Sequence, residues 1–225
     1  MKKGFTLAEV LITIGIIGIV AAMTIPSLMT KMRNVRDSAT LKEDFSILKQ
    51  MMLSANDDGA MASIVTGNNM DEMKNWFNTY FLPYIKVANV CYGTSGCFSE
   101  DVKTSNGSRW STIKPCGFAS IAFTLNNGSY ICMDDFADTR FGIQTNGITI
   151  GILVDVNGDK KPNQFGKDIF ALVFKDESLV PGGYDMTQAQ IDENCSEKCS
   201  SGNYCGTYCM QKVVKNGYKL PVYGK

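Results

Sequence analysis

The sequence predicts an α+β chain: a long N-terminal helix, its first half transmembrane and its second half amphipathic, packed on an antiparallel β-sheet head with a disulfide-rich C-terminal region. Three observations predict it. Residues 5–29 are almost wholly apolar, and the apolar residues after them step by threes and fours to about Leu53. Beyond residue 116 the period changes to short runs bounded by turn residues. All eight cysteines lie at or beyond Cys91.

Phe5 to Ile25 is 21 residues, about 31 Å as a helix, which matches the hydrocarbon thickness of a bilayer. Lys2 and Lys3 precede the span and favour a cytoplasmic N-terminus, although Lys31, Arg33 and Arg36 weaken the asymmetry. The downstream cysteines suit an oxidising compartment and support the same orientation. A secretory signal peptide fits poorly, because the apolar run is too long, contains Glu9 and has no A-x-A site after it. An ordinary membrane anchor explains the span and leaves Glu9 unexplained. A lone carboxylate in hydrocarbon costs about 2.5–3.5 kcal/mol. Gly15, Gly18 and Pro26 are weak points in the same helix, with Gly18 and Ala22 offering a small-residue packing face.

After Pro26 the stripe Leu28, Met32, Val35, Ala39, Phe45, Leu48 and Met52 continues without a linker, with one phase shift near Leu41. Charged residues, Asp37 and Asp44 among them, take much of the opposite face. N-D-D-G at 56–59 stops the helix. The chain thus divides into a leader (1–4), a membrane helix (5–29), an amphipathic continuation (30–55) and a globular head (56–225).

Within the head, 70–80 reads as a second helix ending before Pro83. F-A-S-I-A-F-T-L (118–125) and S-Y-I-C-M-D-D (129–135) flank an N-N-G hairpin turn. I-T-I-G-I-L-V-D-V (148–156) and I-F-A-L-V-F (169–174) flank a polar loop, giving a four-stranded antiparallel sheet with one face on the long helix. T-Q-A-Q at 187–190 is a capping box opening a short helix.

Cys91 and Cys97 bracket a short turn, and Cys116 and Cys132 lie at the ends of the hairpin, within reach of pairing. Cys195, Cys199, Cys205 and Cys209 have symmetrical spacing and three possible pairings, of which the nested one, Cys195–Cys209 with Cys199–Cys205, is expected. The alternative, a four-thiolate zinc site, favours tighter knuckles separated by a longer loop, so disulfides are the better reading. In the loop at 155–168, Asp155, Asn157 and Asp159 alternate like the start of a calcium loop, and Asn163 and Asp168 complete an oxygen set. Lys160 stands where the turning Gly of an EF-hand belongs and Gly166 where its bidentate Glu belongs. The competing reading is an Asx-rich hairpin loop bonding its own backbone.

Lys+Arg and Asp+Glu both total 22, and no dense basic patch stands out, so a nucleic-acid partner is not expected. The chain has no histidine, which removes Ser-His-Asp and Cys-His catalysis. With no G-x-S-x-G and no catalytic carboxylate pair distinct from turn residues, an enzyme is not expected.

Residues 1–26, MKKGFTLAEVLITIGIIGIVAAMTIP, resemble the N-terminus of type IV pilins and type II secretion pseudopilins. The basic leader, Gly4, Phe5, Glu9 and Pro26 fall in register with that family's pattern. The resemblance implies cutting by prepilin peptidase between Gly4 and Phe5 and N-methylation of Phe5. It implies that Glu9 pairs with the N-terminal amine of a neighbouring subunit, turning the penalty of a buried charge into a register key for polymerisation. It gives the stretch from Gly18 to Pro26 the role of a segment able to lose helicity in a filament. The implied partners are prepilin peptidase, other pilin or pseudopilin subunits and the membrane. The implied location is the bacterial inner membrane, with the head outside the cytoplasm, and then a filament. Heads of this family often carry a disulfide-closed C-terminal region, and some major pseudopilins bind calcium in a head loop. The alternative is an anchored extracytoplasmic binding or sensor domain that never polymerises.

Overall fold

A computed structural model describes residues 4, 6–64, 69–93, 96–110, 120–134, 139–145 and 149–220. The chain forms two compact units, Met1–Arg36 and Asp37–Lys225. Helix α1, Leu7–Asp57, is continuous through Pro26 and ends at the N-D-D-G stop. The large apolar residues of its N-terminal part are exposed, from Leu7 at 78% to Val35 at 65%. This helix is long and apolar enough to cross a membrane. The hydroxyls of Thr13, Thr24, Ser27 and Thr30 each donate to a carbonyl three or four residues back, so none of them needs water.

Six strands make one antiparallel sheet: β1 Val87–Tyr92, β2 Ile121–Leu125, β3 Tyr130–Asp134, β4 Ile150–Asp155, β5 Ile169–Lys175 and β6 Ser178–Pro181. Each strand pairs with the one before it in sequence, in the order β1-β2-β3-β4-β5-β6. The four central strands fall where the sequence places them, and two edge strands add to the four expected. Neither edge strand carries a clean alternation. A register shift between Val87 and Asn89 interrupts β1, which is only partly buried. β6 has four residues and ends in Pro181, which an edge tolerates because the missing N–H serves no further strand.

Side-chain parity divides the sheet. Ile121, Phe123, Ile131, Met133, Ile152, Val154, Phe170, Leu172 and Phe174 pack in one core with Leu41, Leu48, Met51 and Met52 of α1. The same core takes Met73 and Phe77 of α2 (Met70–Tyr80) and Met210 and Val213 of α4 (Cys209–Lys215). Ala122, Cys132, Leu153, Ala171 and Val173 face the other way and are covered by Phe98, Val102, Trp110, Phe141 and Phe165. The sheet is therefore buried on both sides, which is why β4 and β5 read as apolar runs. At full burial each of these large side chains contributes about 1.5–3 kcal/mol.

The buried stripe of α1 differs from the expected one. Asp37, Leu41, Asp44, Leu48, Met51, Met52 and Ala55 are buried, while Leu28, Met32 and Val35 are exposed. Asp37 and Asp44 thus lie on the inward face, against the sequence reading. A 3.6-residue period from Leu41 passes through 37, 44, 48, 52 and 55, and the polar identity of two members hid the stripe.

The remaining helices follow their signals. The Asn69 side chain caps α2 by accepting from Glu72 N at 3.4 Å. Trp76 Nε1 donates to Ala60 O at 2.9 Å, seating α2 on the chain that leaves α1. Helix α3, Gln188–Asn194, opens with the Thr187/Gln190 capping box.

Candidate functional site

Two parts of the molecule carry the sequence-predicted site residues. In the N-terminal segment Gly4 is exposed, and Phe5 lies outside the described residues. Glu9 Oε2 accepts from Thr6 N and from Thr6 Oγ1, each at 2.8 Å, and Glu9 N donates back to Thr6 Oγ1 at 3.3 Å. This reciprocal capping box occupies the carboxylate within its own chain at the helix N-terminus. The T-x-x-E spacing of T-L-A-E signals it in the sequence. Among the described residues, a Cβ built on Gly15 or Gly18 meets no atom within 4 Å, so both glycines present open backbone.

The second part is the loop joining β4 to β5. Asp155 ends β4 and is fully buried; Asp168 precedes β5 and is 1% exposed. Asp155 Oδ2 accepts from Ser99 Oγ at 2.8 Å and Oδ1 from Asn157 N at 3.2 Å. Asp168 Oδ1 accepts from Gln164 N at 2.6 Å; its Oδ2 accepts from Asn163 N at 2.9 Å and Asn157 Nδ2 at 3.3 Å. Burial, and then the charge of Asp168, pushes the Asp155 carboxyl up to about 8, against the pull of Ser99 and the backbone N–H groups of Asn157 and Gly158. Burial also raises Asp168, against the N–H groups of Gln164 and Asn163.

The other three predicted ligands divide. Asn157 and Asn163 fold back over Asp168. Asp159 is exposed, and its Oδ2 accepts from the Tyr130 hydroxyl at 3.0 Å, away from the buried pair. Among the described residues no group of three or more thiol or acidic side chains converges as a metal site.

Segment 97–110 closes the loop from outside, a relation no spacing announced. Lys103 N donates to Asn163 O and Phe165 N to Lys103 O, both at 2.8 Å, and Gln164 Nε2 donates to Thr104 O and Ser105 O, both at 3.0 Å. The Cys91–Cys97 disulfide fixes the start of this segment to β1. Its far end meets the C-terminal knot, where Cys195 bonds Cys209 and Cys199 bonds Cys205 in a nested arrangement. Ser105 Oγ donates to Asn194 O at 2.9 Å, and Asn106 Nδ2 donates to Cys199 O at 2.9 Å. Cys132 is disulfide-bonded, and Cys116 lies outside the described residues.

Residues 1–25 match the family model described as the prokaryotic N-terminal methylation motif, which is characteristic of type IV pilins and pseudopilins. The long apolar N-terminal helix, the antiparallel sheet and the C-terminal disulfides make a pilin-like α+β fold. No curated protein and no solved structure matches the chain.

Proposed function

We propose that the chain is a structural subunit of a type IV pilus or a type II secretion pseudopilus, cut by prepilin peptidase between Gly4 and Phe5 and polymerised through helix α1. The observation that carries the reading is the methylation motif over residues 1–25, running directly into a single helix that ends only at Asp57. An anchor needs the apolar span alone. It does not need Gly4, Phe5 and Glu9 in register ahead of it.

Glu9 has a chemical task in this reading. In the single chain, Thr6 donors satisfy its carboxylate at the helix start. Cleavage creates a new ammonium at Phe5, and an ammonium from a neighbouring subunit is a stronger partner than a neutral hydroxyl in low dielectric. The exposed apolar face of α1 supplies the contact area between subunits, and Gly15 and Gly18 allow close approach of backbones. The head faces an oxidising compartment, in keeping with the disulfides that hold it. The role is structural rather than catalytic.

The test is the intact mass and N-terminal sequence of the protein extracted from the membranes of its host. The expected species begins at Phe5, carries one added methyl and is eight hydrogens lighter than the reduced chain. A chain that retains Met1-Lys2-Lys3-Gly4 sinks the proposal and leaves a non-polymerising anchored domain.

A further inference from the structure

The apolar surface of α1 continues past the point where a bilayer's hydrocarbon ends. Phe5 to Ile25 already covers about 31 Å, yet Leu28, Met29, Met32 and Val35 beyond it are each more than half exposed. The buried stripe of α1 begins only at Asp37, so these four side chains are left without cover among the described residues. Two cations are set among them. Lys31 and Arg33 are exposed, and neither has an ion-pair partner among the described residues. Two positions apart, they point to nearly opposite sides of the helix. Arg36 already makes a contact within the chain and is left aside. From Val10 to Arg36 the sequence holds no acidic residue, and the next one, Asp37, is buried.

Such a stretch calls for a covering that is partly apolar, anionic and present on every side. A protein partner covers one face of a helix. A second copy at the same depth brings the same two cations and no acid against them. The headgroup layer of a membrane meets all three conditions. Lys31 lies about 9 Å along the helix beyond Ile25, and Arg33 about 12 Å. The headgroup layer adds about 5–8 Å to each side of the hydrocarbon, and the long stems of Lys and Arg reach back across the difference.

We propose that residues 28–35 of α1 bind anionic phospholipids in the leaflet through which the chain leaves the membrane. The Lys31 ammonium and the Arg33 guanidinium take the lipid phosphates, and Leu28, Met29, Met32 and Val35 lie against the adjoining glycerol and upper acyl region. The Arg fork bonds a phosphate bidentately, and the Lys acts as a point charge. A zwitterionic lipid carries its own ammonium, which competes for the same phosphate; an anionic lipid has no such competitor. The contact gives a purpose to cations that otherwise work against the charge asymmetry orienting the chain: they fix how deep the helix sits. The inference rests on the membrane-spanning part of the reading above and is indifferent to polymerisation.

The experiment puts a fluorescent reporter at the site, Met29→Trp in the full chain, reconstituted in mixed vesicles of phosphatidylcholine and phosphatidylglycerol. One lipid or the other is brominated high on the acyl chain, and bromine quenches the new emission only from lipids touching the site. Trp76 and Trp110 are buried in the head and give a constant background. Brominated phosphatidylglycerol binds there about tenfold more tightly than brominated phosphatidylcholine, and about 0.5 M NaCl reduces the preference. Lys31→Gln with Arg33→Gln brings the ratio close to one, and Lys31→Arg with Arg33→Lys keeps it. Lys42→Gln with Lys49→Gln, the same loss of charge within the head, leaves it at the parent value. Equal quenching by the two lipids in the parent, or a preference that survives the double glutamine variant at 31 and 33, overturns the proposal. Quenching by neither lipid in a chain that floats with the vesicles also overturns it, because something other than lipid then covers residues 28–35. A chain that does not float with the vesicles removes the membrane span itself, and this inference with it.

Discussion

Asn127 Nδ2 donates to Asp44 Oδ1 at 2.7 Å, bonding the turn between β2 and β3 to the long helix. Asn127 Oδ1 meanwhile accepts from Ser129 N at 3.1 Å, so one side chain shapes the turn and docks it. Gly128 completes the turn at φ +93°, a conformation that favours glycine. Asp44 is fully buried, and its Oδ2 has no hydrogen-bond partner among the described residues.

Asp44 makes the head pH-sensitive. Burial raises its carboxyl to about 6, with Ser129 and Asn127 pulling the other way. A raised folded-state value means the neutral form is favoured in the fold. That stabilisation is complete below the unfolded value near pH 4 and is lost as pH rises through about 6. Relative to Asp44→Asn, the parent loses about 2.5 kcal/mol between pH 4 and pH 7.5. Urea midpoints at both pH values check this, and an unchanged difference between parent and variant refutes it.

The two C-terminal disulfides close loops of unequal length. Removing Cys195–Cys209 as a double serine variant costs about 3 kcal/mol, and removing Cys199–Cys205, whose loop is shorter, costs about 2 kcal/mol. Denaturant midpoints of the two variants rank them. The reverse order would mean that the contacts of Asn106 with Cys199 and Cys205 outweigh loop closure.

Gly206 sits where a side chain does not fit. Its φ is +96°, and a Cβ there would lie 2.5 Å from Phe165 Cβ and 3.0 Å from Ser105 Cβ. Gly206→Ala therefore costs about 3 kcal/mol, from overpacking added to a disfavoured backbone. Gly217→Ala, at φ +66° with nothing within 4 Å, isolates the backbone cost and loses about 1 kcal/mol. Comparing their thermal midpoints separates the two effects.

If the chain polymerises as proposed, Glu9→Ala inserts in the membrane normally and enters filaments about tenfold less than the parent, or worse, measured by shearing and immunoblot. Thr6→Val, which removes the hydroxyl but spares the carboxylate, separates capping from assembly. A pure cap loses about 0.5–2 kcal/mol of helix stability in both variants alike. An assembly key fails only in Glu9→Ala, and normal incorporation of that variant would falsify the role given to Glu9.

Strong local signals made most of the architecture legible. The helix stop at 56–59, the N-N-G turn, the capping box at Thr187 and the four central strands each rest on chemistry within a few residues. What was not legible depends on long-range packing. β1 and β6 are strands because of the neighbours they join, and Asp37 and Asp44 face inward because the stripe around Leu41 turns them there. In the loop, the spacing picked out Asp155, Asn157, Asn163 and Asp168, which the structure gathers, and also Asp159, which it leaves in solvent. Ser99 lies 56 positions from its partner, and no motif reaches that far.

A sheet in which every strand lies beside its predecessor has a further consequence. From β2 onward each strand pairs with the one made before it, β1 alone waiting for a partner that begins at Ile121, so the order of synthesis is a workable order of assembly. The C-terminal cysteines arrive last, after the surface formed by Ser105 and Phe165 that they dock against. Oxidation then locks a head whose shape is already determined, and the knot acts as a clasp on a finished object.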